Sequence, residues 1–536
     1  MNATDQRALF ARDFRKILYK YLRSGRDIIR SSAFGRISNV ILAALIILQV
    51  ALVAYASFHH PPEFFFDEEF TVRVARQQPA DIVEIVSHEQ NFPAYHLLVH
   101  WLMTLPFDDI KTIRIFQFSV WIVGVGMFLS ILRLLRATPR QQLSFVLLYV
   151  CSYGISMYAG YIRMYGLLTL LFLLAVYFFM RYTYSRKTID AMLSGLWILL
   201  LAPLHPIAII IIAVFFYTGI FVVKDRTPRF LLAGELAIAA NVILINLLYK
   251  QRSLISLYVS DGVRYLDELG AQRGLYEFPQ LLFFRESFSD SWVLFFLVGY
   301  LCYRFICHDR IQDDISFIIK IFFIAVAANI FLSRRINIDH HVVFLAPMLL
   351  LVLLRGYQTL SGFRRAVVMV SLVSYFLLIS IRQYTGQINR DTFFSGLCNT
   401  LSTLPPGPVV TNHISMSVLI YCLSSDTHAL YMETMDGHFK SWENPLFSKE
   451  LLIEQAMISG SFYVGGSSVG YHEYLRNNAS QLQEDLAKLD EFYFILFSSP
   501  VLYSDELELL TANHTYTDTL PGFVHVFTRK RPADDP

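Results

Sequence analysis

The chain has 536 residues, 55% of them apolar and 16% charged, with a net charge of +2. An ordinary soluble domain carries about 25% charged residues, so this balance and a mean hydropathy of +0.45 argue against a soluble globular protein. They indicate a polytopic helical membrane protein. Basic residues gather into no single exposed patch, and nucleic acid is not an expected partner.

Residues 1–36 hold nine Lys or Arg (Arg7, Arg12, Arg15, Lys16, Lys20, Arg23, Arg26, Arg30, Arg36) against Asp5, Asp13 and Asp27. By the positive-inside rule this segment is cytoplasmic, and it reads as a basic amphipathic helix on anionic lipid. The apolar run after it is too long for a signal-peptide core and is followed by no small-residue cleavage site, so no cleavable leader is expected.

Apolar runs long enough to cross a bilayer predict about eleven spans. They fall at Val40–Phe58, Thr112–Leu134, Leu143–Tyr158, Met164–Arg181, Ala191–Ala202, Pro206–Val223, Phe230–Tyr249, Trp292–Cys307, Ile315–Leu332, Val342–Leu354 and Ala366–Ile381. Basic loops at 133–140, 181–187, 224–229 and 355–365 lie inside in this register. The outward side receives 59–111, Tyr161–Tyr165, Leu204–Pro206, a long 250–290 loop, Arg334–His341 and everything after Ile381. An odd span count with the N-terminus inside puts the C-terminus outside, periplasmic or extracellular.

The first outer loop, 59–111, has nine acids (Glu63, Asp67, Glu68, Glu69, Asp81, Glu84, Glu89, Asp108, Asp109) and only Arg73, Arg76 and Lys111 as bases. Carboxylates and imidazoles held at a bilayer surface are costly and mark a functional site. The plain alternative is an acidic run that merely solvates the loop. Residues 383–536 read as a separate α/β domain. Its strands are predicted at Pro408–Asn412, Ala429–Met432, Tyr493–Ser498 and Phe523–Arg529, and its helices at Lys449–Ile458 and Ser480–Leu489. No Walker loop or GxGxxG opens it. Cys398 and Cys422 either pair in an oxidising compartment or stay as two buried thiols. Cys151, Cys302 and Cys307 read as packing residues.

Polar groups recur at the outward ends of the spans: Asp67-Glu68, His88-Glu89, Tyr161-Ile162-Arg163 with Tyr165, Leu204-His205-Pro206, and Arg334-Arg335 with His340-His341. This set, in this order and on one side, resembles the GT-C superfamily of integral-membrane glycosyltransferases. It is most similar to the protein O-mannosyltransferase and aminoarabinose-transferase types. Asp67-Glu68 matches their acidic motif in the first outer loop. His88 to His96 stands where they carry a His-Pro-Pro-Leu-Tyr-Tyr type stretch, with Asn91-Phe92-Pro93-Ala94-Tyr95 in place of the double proline. Arg163-Met164-Tyr165 looks like their Arg-x-Tyr loop, and Leu204-His205-Pro206 like their Thr-His-Tyr junction.

The resemblance implies a donor sugar on a polyprenyl-phosphate carrier and a glycan, lipid or protein acceptor, joined at the outer membrane face. It assigns Asp67 as the general base for the acceptor hydroxyl, with Glu68 second. Phosphate calls for arginine forks, so Arg334, Arg335 and Arg163 are candidate lipid-phosphate ligands, with Arg264, Arg273 and Arg285 in reserve. Snorkelling to headgroups is the bland alternative for the Arg334-Arg335 pair. His88, Glu89, Tyr95, Tyr165, His205, His340 and His341 are candidate pocket residues, with a structural role as the alternative for each histidine. No cofactor signature is present. A divalent cation on the carboxylates stays open, and the metal is unassigned.

Two other classes compete. A polyprenyl-linked glycan polymerase or ligase relies on arginines in a late large loop, whereas here the charge sits in the first. A transporter predicts ionisable groups buried mid-span; here mid-span charges are nearly absent, with Glu235 and Lys320 as the exceptions.

Overall fold

The computed structural model describes residues 32–59, 66–89, 91–106, 109–206, 208–249, 291–308, 318–320, 346–401 and 405–411, together with 419, 422, 430–433, 439–442, 448–453, 455–456, 478–489, 491–495, 514–520 and 524–529. The basic segment 1–31, the 250–290 loop with its arginines, and Arg334 to His341 lie outside these residues. So does most of the predicted span 315–332.

Helices occupy the other ten predicted spans: α1 (Ser32–His59), α5 (Asp109–Leu134), α6 (Pro139–Cys151) with α7 (Tyr153–Ser156), α8 (Tyr165–Ser185), α9 (Thr188–Leu201), α10 (Ala208–Val222), α11 (Arg226–Tyr249), α12 (Ser291–His308), α13 (Ala346–Gln358) and α14 (Gly362–Leu401). Between α1 and α5 stand three shorter helices, α2 (Phe66–Ala75), α3 (Pro79–Ser87) and α4 (Ala94–Met103). Five of the helices are long and apolar enough to cross a membrane, six if the bent pair α6–α7 is one span, and α9, α10, α12 and α13 are shorter apolar helices. This is the architecture of a polytopic helical membrane protein.

The bundle is organised around α8. Of its apolar stretch 61% is buried, against 17% for α1. Its neighbours are α5 and α9, and α9 in turn packs on α11. Large apolar side chains point outward instead, as at Ile47 (69% exposed), Phe230 (80%) and Leu248 (70%). That inside-out pattern suits a lipid surround. Helix α6 opens with a capping box, in which Thr138 and Gln141 exchange side-chain-to-backbone bonds, and with Pro139 in its first turn.

The span containing α6 and α7 breaks by 67° at Ser152, which the continuous apolar run did not foretell. Polar side chains tie the break to its neighbours: Tyr384 donates to Ser156 at 2.7 Å and Tyr153 to Gln387 at 3.0 Å. A little deeper, Gln49 donates to Ser380 at 2.6 Å. Such bonds replace the hydrophobic drive that lipid removes between helices.

Helix α14 departs from expectation. It runs through the boundary expected at 382–383 and on to Leu401. A disulfide, Cys398–Cys422, links its last turns to the C-terminal region, with the Cα atoms 4.7 Å apart. That region carries a six-stranded mixed sheet in the order β3-β2-β1-β4-β6-β5. Its strands are β1 (Val409–Thr411), β2 (Leu430–Glu433), β3 (Phe439–Trp442), β4 (Glu491–Ile495), β5 (His514–Leu520) and β6 (Val524–Arg529). β1 lies parallel to β2 and β4 at the centre, and the outer pairings are antiparallel. The four predicted strands are there; β3 and β5 are additions. Helical residues 449–453 and 478–486 sit where helices are predicted.

Gly356 marks a close approach of α13 to α12. A Cβ there would lie 2.1 Å from the Leu301 carbonyl oxygen of α12, whereas one at Gly126 would meet nothing within 4 Å. Gly356→Ala is therefore expected to lower stability by about 1–3 kcal/mol through overpacking. Thermal denaturation in detergent would show a reduced Tm for this variant and an unchanged or slightly raised one for Gly126→Ala.

Candidate functional site

The described residues of the acidic loop expected at 59–111 carry three helices. α2 places Asp67, Glu68 and Glu69 in its first turn and Arg73 in its last. Every residue from Glu68 to Ala75 is buried, charged ones included. Helical spacing divides them into two stripes. Val72 and Ala75 join the main core of the bundle, and Thr71 and Glu68 share their side. Phe70 and Val74 join a second, smaller apolar cluster, with Glu69 and Arg73 beside them.

On the bundle side, Glu68 accepts the backbone N–H of Ile162 at 2.7 Å. This pins the Tyr161-Ile162-Arg163 junction to the start of α2. Arg163 donates to the Thr71 hydroxyl at 3.2 Å and to Glu89 at 3.4 Å. Glu89 also accepts from Asn91 at 2.5 Å and stands 3.8 Å from His96 Nε2. Gln117 of α5 donates to the Tyr95 hydroxyl and, at 2.9 Å, to the Arg163 carbonyl. One charged cluster thus joins the first outer segment to the α7–α8 junction. His205 brings in a third junction, with its ring 6.0 Å from that of Tyr165.

The predicted site residues fall into groups. Glu68, Glu89, Arg163, Tyr165 and His205 come together. Tyr95 is 1% exposed, and its hydroxyl accepts from Gln117. Burial pushes its phenol well above the usual value, only partly offset by the Gln117 bond and the Arg163 charge. His88 caps α3, half-buried. Asp67 stands one residue before Glu68 in the first turn of α2, and its side chain is outside the described residues, as are Arg334, Arg335, His340 and His341. The sequence motifs leave out Thr71 and Gln117 and include Asn91 only as part of the 88–96 stretch. A lone amide in an apolar span, as at Gln117, is the signal that was there to find. Among the described residues, no three His, Cys, Asp or Glu side chains are grouped to hold a metal ion.

The opposite end of the bundle is tied as well. Tyr184 donates to the Leu134 carbonyl at 3.1 Å and Tyr182 to Asp225 at 3.1 Å. The loops predicted to face inward therefore also meet one another.

Fold and site together define a polytopic helical membrane protein with a buried ionic cluster at one end of its bundle. No protein-family model and no curated protein matches the sequence. Among solved structures, the chain is similar to ArnT from Cupriavidus metallidurans in the apo state. The match has 12% identity and a TM-score of 0.48, and covers 93% of this chain and 98% of that one.

The Arg163–Glu89 pair is nearly enclosed, with side chains 6% and 9% exposed. Removing one partner deprives the other of its counter-charge, so Glu89→Leu is expected to cost about 3–5 kcal/mol. Arg163→Met combined with Glu89→Leu should fall short of the summed single losses by about 0.5–3 kcal/mol. Denaturation midpoints of the four proteins measure both values; additive losses would show that the pair does not interact.

Proposed function

We propose that the protein is a GT-C type glycosyltransferase that moves a sugar from a polyprenyl-phosphate carrier to an acceptor hydroxyl at the outer membrane face. The observation that carries this reading is the meeting of three outward-predicted junctions around one buried acid–arginine cluster, with Asp67 beside it. An acid next to cations at membrane level is what a phosphate-linked sugar donor requires. Asp67 takes the proton of the acceptor hydroxyl as its oxygen attacks the anomeric carbon. The carbon–oxygen bond to the carrier breaks, and polyprenyl phosphate leaves as the anion. Arg163, with Arg334 and Arg335, binds that phosphate. Glu68 holds the Ile162 backbone and so serves the cluster as a tether. His205 and Tyr165, whose rings adjoin, are assigned to the substrate pocket.

In this reading the N-terminus is cytoplasmic and the sheet-bearing region lies outside, forming a unit of its own. The Cys398–Cys422 disulfide suits an oxidising compartment. Cys307, an exposed thiol at the end of α12, then faces the cytoplasm. A membrane-impermeant maleimide is expected to label it in inverted vesicles and not in intact cells; the reverse pattern would overturn the orientation.

The activity itself is tested with purified protein and radiolabelled polyprenyl-phosphate sugars. Asp67→Asn is expected to lower transfer by roughly 10²- to 10⁴-fold while leaving the Tm unchanged. Full-rate transfer by this variant would remove Asp67 from the role of base. No transfer from any carrier by the wild type would overturn the enzymatic reading and favour a transporter.

A further inference from the structure

The outer stripe of α2 is covered by the C-terminal region. Arg73 is 0% exposed and its Nη1 donates to Glu69 at 3.0 Å and to Gln455 at 2.9 Å. Gln455, itself 0% exposed, lies 382 positions along the chain. Around this link Phe70 and Val74 of α2 and Ile82, Ile85 and Val86 of α3 form one apolar cluster with Leu452 and Ala456. At the rim Lys449 reaches Asp81 at 2.5 Å and Glu84 at 2.8 Å. Its two carboxylate bonds raise the Lys449 ammonium above its usual pKa. Three kinds of contact (apolar, buried polar and ionic) thus join helical residues 449–453, 455 and 456 to the first outer segment.

The two short helices have little stability of their own. α2 has 10 residues and α3 has 9, below the roughly 12–15 at which an isolated helix becomes marginal in water. Without its cover, α2 would keep one packed stripe and expose Phe70 and Val74. Arg73 and Glu69 would lose the acceptor that completes their buried pairing, which is costly for charges out of water.

We propose that the C-terminal region is a clamp that positions the catalytic segment, with Gln455 and Leu452 as its positioning residues. They act through α2, whose first turn carries Asp67 and Glu68, and they touch no substrate. The assignment rests on the function proposed above, but docking and transfer can be measured separately.

The experiment uses the full chain in detergent or nanodiscs, with Gln455→Leu removing the acceptor and Leu452→Asp breaking the apolar contact. Hydrogen exchange at residues 66–75 is the first readout. Turnover and donor KM with radiolabelled polyprenyl-phosphate sugars are the second. Both variants are expected to lose exchange protection in 66–75 at an unchanged α8, and to lose kcat by roughly 10- to 100-fold at a similar donor KM. Gln455→Glu keeps an acceptor for Arg73 and is expected to restore both. Unaltered exchange in both variants would overturn the clamp, and raised exchange at unaltered kcat would overturn its positioning role. If the wild type transfers no sugar, the functional reading fails on its own, and exchange alone then upholds or overturns the clamp.

Discussion

Helix α2 is the constraint on which the rest of the site depends. A ten-residue helix with three acids and one arginine is buried along eight consecutive positions. Burying charge that way requires a specific partner for each group. The partners come from far apart: the backbone of Ile162 for Glu68, and Gln455 for Arg73 alongside Glu69. The segment is therefore placed by tertiary contacts on two sides, from the membrane bundle and from the C-terminal region. Its own helix propensity contributes little.

The same logic explains why the Tyr161–Arg163 junction sits where it does. The break at Ser152 turns the chain by 67° before it reaches this junction. The bonds of Tyr153 and Tyr384 hold the turned segment against α14. From there Ile162 offers its N–H to Glu68 and Arg163 turns to Thr71 and Glu89. A straight span would have carried these groups elsewhere. The bend in the bundle and the ionic cluster above it are one arrangement.

Legibility in the sequence followed the range of the forces involved. Spans such as Asp109–Leu134 and Tyr165–Ser185 announce themselves because lipid demands a local run of apolar residues. The central strands Val409–Thr411 and Glu491–Ile495 likewise lie on short β-rich runs. The helices α2 to α4 were read as loop, because their apolar positions are few and their partners lie up to 382 residues away. The Ser152 break hid inside an uninterrupted apolar stretch. The convergence of Glu68, Glu89, Arg163 and His205 was legible only as a shared outward side. The bonds that join them depend on helix rotation, which composition does not encode.

Three acids in one helical turn look interchangeable in the sequence, and the fold separates them. Successive residues on a helix are about 100° apart, so Glu68 and Glu69 face different neighbours. Glu68 is held by a backbone N–H, which fixes its position. Glu69 is held by a buried guanidinium on the opposite stripe. A general base must be able to take up a proton in mid-reaction, and a carboxylate already committed to a fixed donor resists that change. Both committed acids are therefore better suited to holding α2 in place than to exchanging protons. The two neighbouring acids thus anchor the helix whose first turn also carries Asp67.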